Sequence, residues 1–334
     1  MKKTILATAI TSALCGPLMA QAAETKTSNT PILYGKAHVS YGMLDEKVNG
    51  VTTVDNWQAR SHASRFGIKG SRDLGDGLKA VYKFEWQVDY EQSTDAALDR
   101  RNMYVGLKGG FGEFRIGRHD TPLKLSQGKF DQFGDTDADL KNAGDEDGEN
   151  RLDNVLVYLG KSGNVGFSLA VAPGEDASGT AADEGPADTV SAAVNYTNGP
   201  VYLAVAHDSY ENGQNDANDS LTRLVATYKF TGMQVGVLVQ NGVEAADTIS
   251  AEEDWLGVSF NAKVGAKGKV KAQYITVEDN ATSKKEGTLM AVGYDYKFDK
   301  KTSAYVMYSN LEEEQSGAKT LEKSFVGVGM VLKF

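Results

Sequence analysis

Apolar and polar residues alternate with a period of two along most of this chain, and the 3.6-residue period of helices is almost absent. In "GLKAVYKFEWQVDY" (77–90), Leu78, Ala80, Tyr82, Phe84, Trp86 and Val88 share one face of an extended strand, while Lys79, Lys83, Glu85, Gln87 and Asp89 share the other. The same alternation sets Met233, Val235, Val237 and Val239 against Gln234, Gly236 and Gln240. It also sets Val326, Val328, Met330, Leu332 and Phe334 against Gly327, Gly329 and Lys333. The fold class is all-β. A soluble sandwich alternates in the same way, so the connections have to decide the architecture.

Sixteen strands are predicted, the first near 32–43 and the last near 323–334. Seven connections are short: "LGDG" (74–77), "GGFG" (109–112), "GKSGN" (160–164), "TNGP" (197–200), "TG" (231–232), "KVGAKG" (263–268) and "DKK" (299–301). Eight longer polar loops alternate with them. Short turns at one end and long loops at the other are the pattern of a transmembrane antiparallel up-and-down β-barrel of the outer-membrane type. An even strand number lets the first and last strands pair and removes the sheet edge. Lipid demands that closure, because an unpaired backbone group in hydrocarbon costs several kcal/mol.

The first residues, "MKKTILATAITSALCGPLMAQAAET", predict an export signal over 1–22: Lys2 and Lys3, an apolar stretch from Ile5 to Leu18, and small residues at Ala20 and Ala22. That stretch is broken by Thr8, Thr11, Ser12 and Pro17, too short for the roughly 20 apolar residues of a bilayer helix. Cleavage also removes Cys15, leaving no cysteine for a disulfide or a thiol site. Residues 23–334 are expected to form a single barrel, with no linker to divide them. Loss of Lys2 and Lys3 takes the formal charge from −10 to −12, which argues against a nucleic-acid partner.

Several strands end on an aromatic just before a short turn: Phe230, Phe260, Phe298 and Phe334 are placed to form an interfacial girdle. With the leader, "YGKAHVSYG" (34–42), "SRFGIKGSRDLGDGLKAVYKFEW" (64–86), "RNMYVGLKGGFGEFRIGRHDTP" (101–122) and the final phenylalanine, the chain resembles the general porins of Gram-negative bacteria, in particular the trimeric sixteen-stranded group of neisserial and vibrio-like organisms. The resemblance implies a homotrimer in the cell outer membrane, reached through the periplasm. It also implies a third extracellular loop folded into the lumen, and Phe334 as part of the signal read by the barrel assembly machinery.

That third loop, about 120–150, reads "DTPLKLSQGKFDQFGDTDADLKNAGDEDGEN". Asp131, Asp135, Asp137 and Asp139 in its first half are the expected acidic side of a constriction, and "QFGD" (132–135) looks like the family's turn at its tip. Asp145, Glu146, Asp147 and Glu149 are expected on the solvated surface. Alternation aims Lys36, Arg65, Lys69, Lys79, Lys83, Arg100 and Arg115 inward from the first strands as the basic wall, since a cation facing lipid at the midplane costs roughly 2–4 kcal/mol. Parity leaves the direction of Arg118 open. Acids and bases facing across water make a transverse field, which sieves polar solutes. The acids at the gap outweigh the bases by position, which gives a weak expected preference for cations.

The expected function is therefore passive diffusion of small hydrophilic solutes and ions, with no enzymatic role, no cofactor and no metal. The alternatives are a substrate-selective pore for anions or oligosaccharides and a barrel-embedded hydrolase. Tyr104, Tyr202, Trp255 and Tyr305 have inward parity but are too scattered for a sugar ladder, and His207-Asp208-Ser209 is the only local cluster with hydrolase chemistry. His38, His62, His119 and His207 lack metal-ligand spacing and are expected to be solvated. "AEED" (251–254) and "EEEQ" (312–315) are expected at outer loop tips, either simply solvated or bridged by divalent cations to lipopolysaccharide.

Overall fold

In the computed structural model, which describes residues 30–89, 98–144, 148–174, 185–210, 220–244, 251–279 and 285–334, the alternating segments become seventeen strand segments of one antiparallel sheet. The leader predicted over 1–22 lies outside the described residues. The first segments are β1 (Ile32–Val48), β2 (Val51–Ser61), β3 (Arg65–Gly75), β4 (Leu78–Val88), β5 (Leu98–Gly109) and β6 (Gly112–Asp120). After the third loop come β7 (Arg151–Ser162), β8 (Val165–Ala172), β9 (Thr189–Asn198), β10 (Val201–Tyr210), β11 (Ser220–Phe230) and β12 (Met233–Glu244). The last five are β13 (Ala251–Val264), β14 (Gly268–Asp279), β15 (Lys285–Lys297), β16 (Thr302–Gln315) and β17 (Ala318–Lys333).

Seventeen segments make sixteen barrel strands, because β2 and β3 are two halves of one. Both pair with β1, β2 from Val39↔Ser61 to Val48↔Val51 and β3 from Ile32↔Lys69 to Lys36↔Arg65. Between them His62, Ala63 and Ser64 form a bulge, with Ala63 at φ 46°. The barrel closes where β17 pairs with β1, from Lys36↔Lys333 to Val48↔Leu321. Phe334 completes that seam: its N–H donates to the Gly35 carbonyl at 3.1 Å, and the Gly35 N–H donates to the Phe334 carbonyl at 3.2 Å. A Cβ on Gly35 would lie 2.2 Å from the Phe334 ring, so this aromatic needs a glycine opposite it.

All seven short turns fall where the sequence places them. Two of the eight outer connections do not, because the first and last are tight hairpin turns rather than long loops. Asn49-Gly50 (φ 50° and 75°) joins β1 to β2, and Ser316-Gly317 (φ 52° and 79°) joins β16 to β17, both with the positive φ pair of a type I′ turn. "EEEQ" accordingly sits at the end of β16 and "AEED" at the start of β13, not on loop tips. Beyond the hydrocarbon both faces of a strand meet water, so the ladder continues while the apolar alternation that marks a strand disappears.

The outer face is apolar around the barrel. Val235, Val237 and Val239 of β12 and Val326, Val328, Met330 and Leu332 of β17 are exposed, while Gln234, Leu238 and Gln240 are buried. At the short-turn end the aromatics are exposed or half-buried and touch: Tyr228 and Phe230 at 4.7 Å, Tyr296 and Phe298 at 5.2 Å, and a run from Phe111 through the half-buried Phe114 and Tyr158 to Phe167 at 4.7–5.8 Å between neighbours. Near the other end Tyr41 stacks on Trp57 at 5.4 Å. An apolar band bounded by aromatic belts is the surface a bilayer solvates. Among the described residues, no helix is long and apolar enough to cross a membrane, and the crossings belong to strands.

Candidate functional site: the third loop against the barrel wall

Residues 121–150 connect β6 to β7, and the described ones, 121–144 and 148–150, contact the polar-parity side of the sheet. The segment opens with α1 (Pro122–Ser126), whose N-cap Thr121 accepts from the Lys124 N–H at 3.1 Å; proline at the first turn fits because no helical partner is needed there. Phe130 and Phe133 are fully buried, with Leu140 and Ala143, against Leu238, Trp255, Ile275 and Leu289 of β12 to β15. Glycines in the wall make room for the rings: a Cβ on Gly257 would lie 2.5 Å from Phe130, and one on Gly293 would lie 3.2 Å from Phe133. Between the two rings, the Gln132 N–H donates to the Gln273 side chain at 2.9 Å and Lys271 donates to the Gln132 carbonyl at 3.1 Å.

From there the chain turns at Gly134 and Asp135, the latter at φ 65°, and reaches the wall on the far side of β16 and β17. Asp135 pairs with Lys36 of β1 and, at 2.8 Å, with Arg65 of β3, while Asp137 pairs with Arg60 of β2. Burial alone would raise the Asp135 carboxyl; Arg65 and Lys36 outweigh it and hold that carboxyl far below the usual carboxylate range. The loop is thus tied by aromatics to β12–β15 and by ion pairs to β1–β3. Its return leg is fixed by Glu149, which accepts from the fully buried Arg223 at 2.9 Å; Arg223 also donates to Gln240 at 2.7 Å.

The four acids expected at the constriction separate into two pairs. Asp135 and Asp137 meet the basic wall. Asp131 accepts instead from the backbone N–H groups of Phe133 (2.7 Å) and Leu140 (3.3 Å), and Asp139 caps the 3₁₀ turn Leu140–Asn142 while accepting from the Asp135 N–H at 2.5 Å. Burial first, and the proximity of Asp139 second, push the Asp131 carboxyl above the usual range. These two acids shape the loop.

The basic wall is also divided. Lys83 pairs with Glu85 at 3.1 Å, Arg115 with Glu113 at 2.7 Å, and Lys69 lies over the Tyr34 ring at 4.8 Å; Lys79 lies opposite Asp73 and Lys108 near a short turn. Arg100 does not lie on the inner wall. A register shift between Phe84 and Trp86 places Trp86 of the outer face opposite Arg100, so Arg101 turns inward to Glu85 at 3.1 Å. One extra residue in a ladder reverses every side chain beyond it. Arg100 is exposed and shares Asp153 with Arg118, at 3.6 Å and 2.6 Å respectively.

Sequence reasoning missed Arg60, Arg101, Lys271, Arg223 and Glu149. Arg60 sits in a segment read as loop, Arg101 lies beyond the bulge, and Lys271 had the right parity on a strand not considered for the wall. Arg223 alternates with Leu221 and Val225, which are themselves buried under the loop, so its face carries no polar signature. Glu149 was placed on the solvated surface and is instead buried. Asp145, Glu146 and Asp147 lie outside the described residues.

Three histidines also depart from expectation, being buried rather than solvated. His38 Nε2 lies 3.0 Å from the Tyr305 hydroxyl, His62 Nε2 lies 2.7 Å from the Ser40 hydroxyl, and His119 Nε2 contacts Arg115 at 2.7 Å. His207 is exposed and bonds to Thr222 at 2.9 Å, whereas its neighbour Asp208 is fully buried and accepts from Tyr210 at 2.8 Å. Strand alternation thus sends His207 and Asp208 to opposite faces, and the two do not form an acid–base dyad. Tyr202 donates to the Ser126 carbonyl at 2.8 Å and Trp255 packs over Gly144, so these inward aromatics brace the loop.

A closed sixteen-stranded barrel, greasy outside and charged within, is an outer-membrane transmembrane barrel. The chain belongs to the Gram-negative porin family, whose model matches residues 7–316. It is 29% identical over 298 residues to the major outer membrane protein P.IB of Neisseria meningitidis, covering 81% of this chain and 83% of that one. It is 26% identical over 349 residues to the outer membrane porin protein 32 of Delftia acidovorans, covering 99% and 95%. Among solved structures, the anion-selective porin from Comamonas acidovorans superposes with a TM-score of 0.76 at 21% identity, covering 91% of this chain and 99% of that one. The trimer form of OmpT from Vibrio cholerae gives 0.69 at 19%, with the same coverage.

Proposed function

We propose that this porin forms a water-filled channel for passive diffusion of small hydrophilic solutes and ions, narrowed by residues 121–150. The observation that carries the proposal is the span of that segment, from Phe130 seated on Gly257 to Asp135 held by Lys36 and Arg65. A gap beside such a segment is bordered by fixed charges, which admit hydrated solutes and reject apolar ones. The purified protein in planar bilayers is expected to give stepwise ohmic conductance, with neutral polymers excluded above a sharp size. Absence of steps, or a cut-off unchanged after residues 128–142 are replaced by a short Gly-Ser linker, would contradict it.

Because Asp131 and Asp139 bond to loop backbone, the acids left facing the wall are Asp135 and Asp137, against Lys36, Arg60 and Arg65. That balance moves the expected selectivity from weakly cationic to weakly anionic. The leader over 1–22 is proposed to be cleaved on export, Phe334 to serve recognition by the assembly machinery, and the mature chain to be a homotrimer in lipid and lipopolysaccharide. No catalytic role is assigned to the barrel.

A further inference from the structure

Between the loop tip and the turn joining β15 to β16 lies a cavity of about 290 Å³, with Gly134 and Thr136 on one side and Thr302 and Ser303 on the other. Six lysines line it: Lys36, Lys271, Lys297, Lys300, Lys301 and Lys333. This is a local excess of positive charge in a chain whose formal charge is −10. Lys36 is committed to Asp135, and Lys271 is committed to Asp295 at 3.1 Å. The other carboxylate of the lining, Asp299, is held in the turn by the backbone N–H groups of Lys301 and Thr302, each at 2.7 Å, and offsets one of the remaining lysines. Among the described residues, Lys297, Lys300, Lys301 and Lys333 have no ion-pair partner.

We propose that this cavity retains compact multivalent oxyanions of the phosphate and pyrophosphate type at the short-turn mouth, a reading that rests on the channel function above. Four ammonium groups against the single carboxylate of Asp299 leave an excess of positive charge around one space, and a single ion carrying two or more negative charges relieves their mutual repulsion. Each lysine supplies three N–H donors and no acceptor, which suits a ligand made entirely of acceptor oxygens. The hydroxyls of Thr302 and Ser303 can donate to oxygens the lysines leave free. The volume lies at the small end of the roughly 300–1,000 Å³ typical of ligand sites, which favours a bare oxyanion over a nucleotide or sugar.

The test uses the full-length protein in planar bilayers at about 0.1 M chloride, where charges are screened over only about 10 Å. Pyrophosphate added to each side in turn is expected to lower the current saturably, more from one side than the other, whereas chloride at matched ionic strength does not. In Lys297→Gln/Lys300→Gln/Lys301→Gln/Lys333→Gln the half-blocking concentration should rise on the order of tenfold. Lys300→Gln/Lys301→Gln, confined to an exposed turn, should give an intermediate rise and carries the test if the fourfold variant inserts poorly. Normal chloride steps with no saturable block, or equal block in parent and variants, overturns the proposal alone. Absence of chloride steps before any pyrophosphate is added overturns the channel reading, and this one with it.

Discussion

Asp135 is one carboxylate with two cationic partners, and removing it should leave Lys36 and Arg65 facing the gap without an anion. Asp135→Asn/Asp137→Asn frees three bases at once, so the zero-current potential in a salt gradient is expected to move toward anions. Asp131→Asn/Asp139→Asn should barely move that potential. It should instead loosen the loop, with about 0.5–1.5 kcal/mol lost for each weakened hydrogen bond, measured as earlier proteolysis on heating. If the second pair shifts selectivity as much as the first, these acids face the gap after all. Phe130 is the apolar counterpart. Phe130→Ala is expected to cost about 3–5 kcal/mol of local anchoring, appearing as noisy, larger conductance steps in single-channel records.

At the scale of the element, the third loop and the two outer hairpins answer to different forces. The loop rests on a buried ion pair, so Glu149→Gln leaves Arg223 without its anion and should cost about 3–5 kcal/mol, visible as proteolytic cutting between 128 and 145 in folded barrels. Gly50→Val, by contrast, strains one hairpin turn and should raise amide exchange near Asn49 without touching conductance. These differences explain what could be read in advance. The membrane-crossing parts of β4, β12, β14 and β17 were legible because lipid on one side and water on the other impose an unbroken period of two. The outer hairpins were not, because water bathes both of their faces. Arg100 and Arg101 were exchanged because a bulge leaves no mark in composition. Arg223 was hidden because an inner wall covered by a loop is apolar like the outer one, so parity loses its meaning there.

For the whole molecule, closure depends on the seam between β1 and β17. Deleting Phe334 is expected to reduce the amount of inserted protein while leaving the conductance of inserted molecules unchanged, with Phe334→Tyr mild and Phe334→Asp severe. Gly35→Val should reproduce the deletion, because its side chain would occupy the space of the ring. Surface labelling against single-channel current separates these outcomes, and full surface levels for either variant would show that the pair has no part in assembly. The seam also joins the strands most distant along the chain, Lys36 with Lys333 and Val48 with Leu321. Every other pairing is made between segments that follow one another closely, so each can form as soon as its second strand is available. The curled sheet must therefore wait with two raw edges until its two most distant strands find each other. During that interval another copy's edge is chemically as attractive as its own, and what favours self-closure is the tether, which holds Gly35 and Phe334 of one chain at a high effective concentration.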